Sequence, residues 1–268
     1  MDSIKRHNPE WTHKLWTLRD LNHETFPRTF PYIQKILAMM MVSNGNRYSS
    51  ISDLMRLEYL YHHGGLHLDS NFEAFRPFDE LMSAPINVAH ESNHLVIKYL
   101  EYLQSGQTSL PLSNSLIGAV PHHPALTIAT SNEWLSKINL GDPSINVSTG
   151  PYYWGKAFQE FVRTHDTENP HYAFRWIDAR IVYPIDWYET NPCILHPQPN
   201  SDDDAREYVP IQHGHAKGKF LRHPCGAYDP PAIMMNHWLG RTWYGLKQDS
   251  IPANFEILAA EKISSDLL

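Results

Sequence analysis

The chain has 268 residues, 42% of them hydrophobic, and a formal net charge of −7. This composition suits one sizeable soluble core, and the absence of any basic run argues against nucleic-acid binding, since phosphate contacts need clustered Lys and Arg. The longest apolar run, residues 36–42, is far too short to span a bilayer.

The N-terminal stretch MDSIKRHNPEW lacks the apolar segment of a signal peptide. Two cysteines do not form a disulfide framework, so a reducing compartment is the default expectation. We therefore expect a protein without a transmembrane segment that is soluble and cytoplasmic.

The first elements in chain order are a strand at 12–17, a buried helix at 32–42 and a second helix at about 50–62. Gly64 and Gly65 should end that helix by supplying a left-handed backbone. The later predictions are strands at 66–68, 86–89, 116–120, 181–183 and 233–235, and helices at 95–103, 124–137 and 154–162. Alternating strands and helices predict an α/β fold with a mostly parallel central sheet and flanking helices.

The helix before the two glycines is apolar almost all round, which is typical of a helix buried on most sides. Asp53 and Arg56 lie three residues apart and share one face of it. They either form an internal ion pair, or Arg56 donates to a phosphate or sugar hydroxyl while Asp53 accepts from a ribose or sugar hydroxyl.

After the next strand the sequence reads Asp-Ser-Asn-Phe-Glu. If this segment is extended, Asp69, Asn71 and Glu73 share a face at the carboxyl end of a strand, where ligands of open α/β sheets collect. Oxygen-rich side chains there suit a hard divalent cation that carries a diphosphate. A plain polar turn is the alternative.

The stretch SDLMRLEYLYHHGGLHLDSNFEAFRPFDEL, residues 52–81, resembles the DXD-containing sugar-binding region of glycosyltransferase family thirty-two. That family includes the yeast Och-type and inositol-phosphoceramide mannosyltransferases, and the stretch is distantly similar to the glucosylating domains of clostridial toxins. The segments NPEWTHKLWT, NSLIGAVPHHPAL, STGP and NHWLGRTW also match, in the order of the family. The matching positions of residues 52–81 are Ser52, Asp53, Arg56, Gly64, Gly65 and Asp69.

The resemblance implies a single domain, 1–268, with a GT-A-type, Rossmann-like fold, a donor-binding part at 1–85 and an acceptor cleft and closing segment within 86–268. It also implies a UDP- or GDP-sugar donor, Mn²⁺ or Mg²⁺, transfer with retention, and a glycan, lipid or protein acceptor. Asp53, Arg56 and Asp69 would be the catalytic residues. The other donor contacts would be Ser52, Gly64, Gly65, Asn114, Thr149, Gly150 and Trp243, which closes over the leaving group. The metal ligands would be Asp69, Asn71 and His237.

Two departures keep a second interpretation open. Asn71 replaces the second carboxylate of the DXD motif, and the sequence begins after the first strand, Pro-Lys-Ile-Ile-His-Gln-Ile-Trp, of typical members. In this second interpretation, the chain is a sugar-nucleotide-binding protein with impaired catalysis.

A metal-dependent hydrolase built on histidines is the third interpretation. Its ligands would be His62, His63, His213 and His215. Gly64 and Gly65 separate His63 from His67, so these two histidines do not form a zinc-binding helix face.

Overall fold

The computed structural model describes residues 2–43, 47–70, 72–90, 111–177 and 179–183, together with four later strands at 208–213, 216–221, 234–236 and 257–261. The helices of these residues are α1 (Asp2–His7), α2 (Phe30–Ser43), α3 (Tyr48–His63), α4 (Pro124–Ala129), α5 (Asn132–Leu135), α6 (Ile145–Ser148), α7 (Pro151–Thr164) and α8 (Ala179–Val182). The strands are β1 (Thr12–Trp16), β2 (Gly65–Asp69), β3 (Phe72–Ala74), β4 (Ile86–Ala89), β5 (Leu116–Ala119), β6 (Phe174–Ile177), β7 (Tyr208–His213), β8 (Ala216–Leu221), β9 (Met234–Asn236) and β10 (Ile257–Glu261).

Most of the predicted elements are confirmed. The helix expected at 124–137 is two short helices, because Thr130 and Ser131 interrupt it and the Ser131 hydroxyl accepts from Trp134 N to cap α5. The strand expected at 181–183 is wrong, since α8 covers 179–182. A short apolar run does not by itself distinguish a strand from a buried helical turn. The helix expected at 95–103 lies outside the described residues.

The central sheet is mixed, and the prediction of a mostly parallel sheet is wrong. Its order is β1-β10-β2-β5-β4-β6, and among these described strands only β4 and β6 are paired in parallel. Strands β1, β2, β4 and β6 all run in one direction, as the α/β pattern requires. However, β10 and β5 run the opposite way and are inserted between them, so neighbouring pairs become antiparallel.

This topology places several chain segments at one edge of the sheet. The carboxyl ends of β1, β2, β4 and β6 share that edge with the amino ends of the inserted strands β5 and β10. Asp69, the last residue of β2, therefore lies beside the residues that lead into β5. Asp69 N donates to Ser115 O at 3.0 Å, which fixes this juxtaposition.

Apolar residues cover both faces of the sheet. Helices α2, α3, α4 and α7 pack on one face against sheet residues such as Ile117 and Val88. The other face, with Leu66, Leu68 and Leu116, packs against α1, β3 and α8. Side chains of a strand alternate between faces, so His67, between two leucines of the second face, points towards α3.

Among the described residues, no helix combines the length and the apolar character that a membrane span needs.

Candidate functional site

The two glycines form a tight joint between α3 and β2, as the sequence predicts. Gly64 has φ +67° and ψ −151°, a region essentially restricted to glycine, and Gly65 has φ +89°. A Cβ on Gly64 would lie 2.6 Å from Pro121 Cδ and 2.8 Å from Ala119 O. The chain therefore reverses here, and β2 runs back along α3.

The end of α3 and strand β2 have nearly equal lengths, and this brings the predicted site residues together. From Arg56 to Gly64 the helix rises about 12 Å at 1.5 Å per residue, and from Gly65 to Asp69 the strand extends about 13 Å at 3.3 Å per residue. Asp69 consequently returns to the level of Arg56. The Arg56 Nη1 atom lies 3.1 Å from Asp69 Oδ1.

Arg56 is the centre of a buried polar network. Its Nε donates to Ser52 O, its Nη1 to Asn114 O, and its Nη2 to Ser52 Oγ at 2.8 Å. Nη2 also lies 3.4 Å from Asp53 Oδ1. The Arg56 side chain is only 6% exposed, so its donors are directed at protein groups that α3, β2 and the approach to β5 present.

Asp53 is equally enclosed. Its Oδ1 accepts from Asn114 Nδ2 at 2.7 Å and its Oδ2 accepts from Thr149 Oγ1 at 2.9 Å. Burial raises the pKa of Asp53 to about 6, even though the Arg56 guanidinium and the Thr149 and Asn114 hydrogen bonds act in the opposite direction. The internal ion pair, one of the two interpretations that the sequence leaves open, is thus formed.

Asp69 has a different environment. Burial raises the pKa of its carboxyl, but the Arg56 guanidinium and the His67 hydrogen bond outweigh that effect and hold the pKa below its ordinary value. Its side chain is 34% exposed, and both of these donors contact Oδ1. Asp69 is therefore an ionised carboxylate at a partly exposed position at the edge of the sheet, with both of these donors on Oδ1.

The sequence alone assigns no role at this site to His67 or Tyr59. His67 Nε2 lies 3.1 Å from Asp69 Oδ1, and His67 Nδ1 is hydrogen-bonded to the Tyr59 hydroxyl. His67 is completely buried. The strand alternation Leu66-His67-Leu68 contains the signal, because it turns a polar side chain towards α3 and next to the DXD position.

The other predicted site residues take supporting positions. The Ser52 hydroxyl accepts from Arg56 and the Asn114 amide donates to Asp53. Thr149, which also donates to Asp53, is only 1% exposed. Gly150 precedes α7, and a Cβ there would lie 2.9 Å from Asn146 Cα, so this glycine permits close packing against α6. Asn71, His237 and Trp243 lie outside the described residues.

At the carboxyl end of β2, Asp69 offers an oxygen ligand for a cation. Asp69 Oδ2 is a hard carboxylate donor, and Mg²⁺ is often held by one or two carboxylates together with substrate phosphates. Within the described parts of the chain, no group of three or more His, Cys, Asp or Glu side chains is arranged to hold a metal by itself. The donor set therefore fits a cation that arrives with a diphosphate.

The histidine interpretation stays untested. His62 and His63 lie at the exposed end of α3, where the ring of His62 contacts those of Tyr61 and His122. The side chain of His213, and His215 altogether, lie outside the described residues.

Comparison with known proteins finds a similarity to a sugar-binding region. The family model described as "Glycosyltransferase sugar-binding region containing DXD motif" matches residues 1–86, about a third of the chain. This match includes Asp53, Arg56, the two glycines and Asp69. No curated protein matches the chain.

One solved structure, described as PaToxG glycosyltransferase, is 19% identical to this chain, with a TM-score of 0.32. The match covers 52% of this chain and 46% of the other, so this chain spans about half of its length. A TM-score this low carries no argument about shape. Residues 1–86 of this chain are thus similar to the family model of a glycosyltransferase sugar-binding region, and membership of family thirty-two stays a prediction.

Proposed function

We propose that this protein transfers a sugar from a nucleoside-diphosphate donor to an acceptor at the sheet edge where β2 ends. The observation that carries the proposal is the Arg56 network. One buried guanidinium holds Asp53 and Asp69, and of these two carboxylate side chains that of Asp69 is partly exposed. The family match over residues 1–86 supports the same position.

Asp69 supplies the group that meets the donor. An ionised carboxylate accepts hydrogen bonds from ribose or sugar hydroxyls, and it also binds a divalent cation. The lowered pKa of Asp69 keeps the carboxylate charged at neutral pH. Asp69 therefore needs no proton exchange before it binds the donor.

Mn²⁺ or Mg²⁺ would neutralise the charge that develops on the departing diphosphate. Asp69 would hold the cation, and Asn71 and His237 would join it as the resemblance implies. Asn71 offers a neutral oxygen, so the cation would depend more on the phosphates of the donor than in a site with two carboxylates. Transfer with retention and a UDP- or GDP-sugar donor complete the proposal.

Asp53 and Arg56 would act mainly by positioning. Pre-organised charges that need not rearrange during the reaction lower the barrier effectively. The Asn114 amide and the Thr149 hydroxyl fix Asp53, and Asp53 helps to fix Arg56. In the proposed enzyme this network sets where Asp69 stands relative to the donor.

Thermal unfolding with UDP, GDP and their sugars, each with and without Mn²⁺, tests this proposal. A ligand that binds the native state raises Tm as its concentration rises above Kd. We expect one nucleotide to stabilise the protein in the presence of Mn²⁺, the effect to disappear with EDTA, and slow release of free sugar from the matching donor.

Asp69→Asn should abolish both the stabilisation by nucleotide and the release of sugar. Asp166→Asn is the control and should change neither, because Asp166 lies at an exposed loop position where its carboxylate caps a turn. Nucleotide binding without any turnover would favour the binding protein with impaired catalysis. The proposed transferase would be refuted if Zn²⁺ alone raised Tm, or if none of the nucleotides raised it.

A further inference from the structure

We infer that His67 is a positioning residue that, with Arg56, restricts Asp69 to a single working oxygen, Oδ2. This inference rests on the proposed function, because it specifies how Asp69 meets the donor or its cation. Asp69 Oδ1 receives Arg56 Nη1 at 3.1 Å and His67 Nε2 at 3.1 Å. Two fixed donors on one oxygen define the plane of the carboxylate and direct its other oxygen outward.

The position of the Nε2 proton follows from its partner. An ionised carboxylate only accepts, so the proton must lie on His67 Nε2. The other ring nitrogen, Nδ1, is hydrogen-bonded to the Tyr59 hydroxyl. Tyr59, His67 and Asp69 are thus connected by consecutive hydrogen bonds.

Packing holds these hydrogen bonds in place. Tyr59 is stacked on Trp16, with ring centroids 5.2 Å apart and an interplanar angle of 8°. Tyr59, Trp16 and His67 are all buried. The imidazole is therefore fixed by β1 and α3 before any donor arrives, which is what a pre-organised binding group requires.

Two amide substitutions at position 67 separate the two ring nitrogens. In His67→Gln the amide nitrogen can reach the place of Nε2 and keep the hydrogen bond to Asp69. In His67→Asn the shorter side chain reaches only the place of Nδ1 and loses Asp69. Removing a hydrogen bond to a charged group typically weakens an interaction about 10-fold or more.

The binding experiment measures Kd for UDP and GDP with Mn²⁺, and kcat and KM for donor hydrolysis. We expect His67→Gln to bind within about 3-fold of wild type and His67→Asn to bind about 10-fold or more weakly. Tyr59→Phe should fall between them. Tyr153→Phe removes another buried tyrosine hydrogen bond, to Ala129 O at 2.6 Å, and should leave Kd unchanged.

A second readout does not depend on sugar transfer. ¹⁵N NMR of the His67 ring in the resting protein should show a proton on Nε2, and Asp69→Asn should disturb that signal. An Nε2 atom that carries no proton, or His67→Asn variants that fold and bind nucleotide like wild type, would overturn the inference.

If wild type binds no nucleotide, the proposed function fails. The NMR result still decides the contact: an Nε2 proton that responds to Asp69→Asn supports it, and an Nε2 atom without a proton refutes it.

Discussion

The guanidinium of Arg56 lies 3.1 Å from the carboxylate of Asp69, although the two residues are thirteen positions apart in the sequence. The contact exists because a helix of about 12 Å and a strand of about 13 Å fold back on each other at Gly64. The middle of α3 and the end of β2 thereby form one site, and the predictions below test the parts of this arrangement.

Replacing Arg56 should cost far more stability than replacing an exposed arginine. Arg56→Ala leaves the buried Asp53 carboxylate without its cation, and breaking a buried ion pair by removing one partner typically costs about 3–5 kcal/mol. Arg56→Lys keeps the charge but loses the planar set of donors, so it should lie in between. Urea denaturation measures the free energy of unfolding.

Arg163→Ala is the control for that experiment. Arg163 forms an exposed pair with Glu160 on α7, at 2.6 Å, and solvent screening leaves such pairs with little effect on stability. Equal losses of stability in the two variants would contradict the buried network.

The pH dependence of stability should reveal Asp53. Its pKa is raised from 3.8 to about 6, mainly by burial, so the folded protein binds this proton more tightly than the unfolded chain. The resulting stabilisation is complete below about pH 3.8 and is lost as pH rises through about 6. A shift of this size corresponds to about 3 kcal/mol.

Asp53→Asn isolates that effect. Between pH 4 and pH 7, the free energy of unfolding of wild type should fall by up to about 3 kcal/mol relative to that of Asp53→Asn. Denaturant titrations across this range measure it. A difference that stays constant with pH would show that Asp53 titrates at its ordinary value.

Gly64 should tolerate no side chain. Alanine would be strained at φ +67° and ψ −151°, and its Cβ would meet the Pro121 ring and the Ala119 carbonyl. Strain in this backbone region alone costs about 1–3 kcal/mol, and the steric overlap adds to it. We expect Gly64→Ala to lower Tm strongly and to weaken nucleotide binding, because the joint sets where Asp69 stands.

Gly141→Ala is the matched control. Gly141 is exposed, and its Cβ would meet only Asn139 Oδ1, at 3.3 Å. Its Tm should stay close to that of wild type. A similar Tm for Gly64→Ala would refute the steric argument.

Glu58 should be essential for the start of α2. This completely buried carboxylate accepts from the backbone nitrogens of Arg28 and Thr29, both at 2.7 Å, and from the Thr29 hydroxyl. Glu58→Ala leaves these donors without their acceptor, and we expect a loss of about 3 kcal/mol or more. Hydrogen exchange should also become faster in the first turn of α2.

Glu133→Ala removes an exposed carboxylate, paired with Lys137 at 3.1 Å, and serves as the control. It should change stability by less than about 1 kcal/mol. If hydrogen exchange in the first turn of α2 were unchanged in Glu58→Ala, Glu58 would not be needed to hold the start of this helix.

Local patterns in the sequence determine much of the site. The apolar α3, the glycine stop and the strand leading to Asp69 are all readable from spacing, since each depends on neighbours within a few residues. The presence of Asp53 and Arg56 on the apolar helix α3 also predicts a polar site, because buried charges need partners. The choice between an ion pair and a ligand contact is not readable, since Asn114 and Thr149 come from distant segments.

The tertiary structure decided the direction of the strands and the neighbours of Asp69. The alternating pattern is consistent with β1, β2, β4 and β6 running one way, but no local signal announces that β5 and β10 are inserted between them in the opposite direction. Strand pairing joins residues far apart in the chain, so its free energy depends on which segments meet and not on local propensity. For the same reason His67 is an ordinary strand residue in the sequence, and only the fold makes it a hydrogen-bond partner of Asp69.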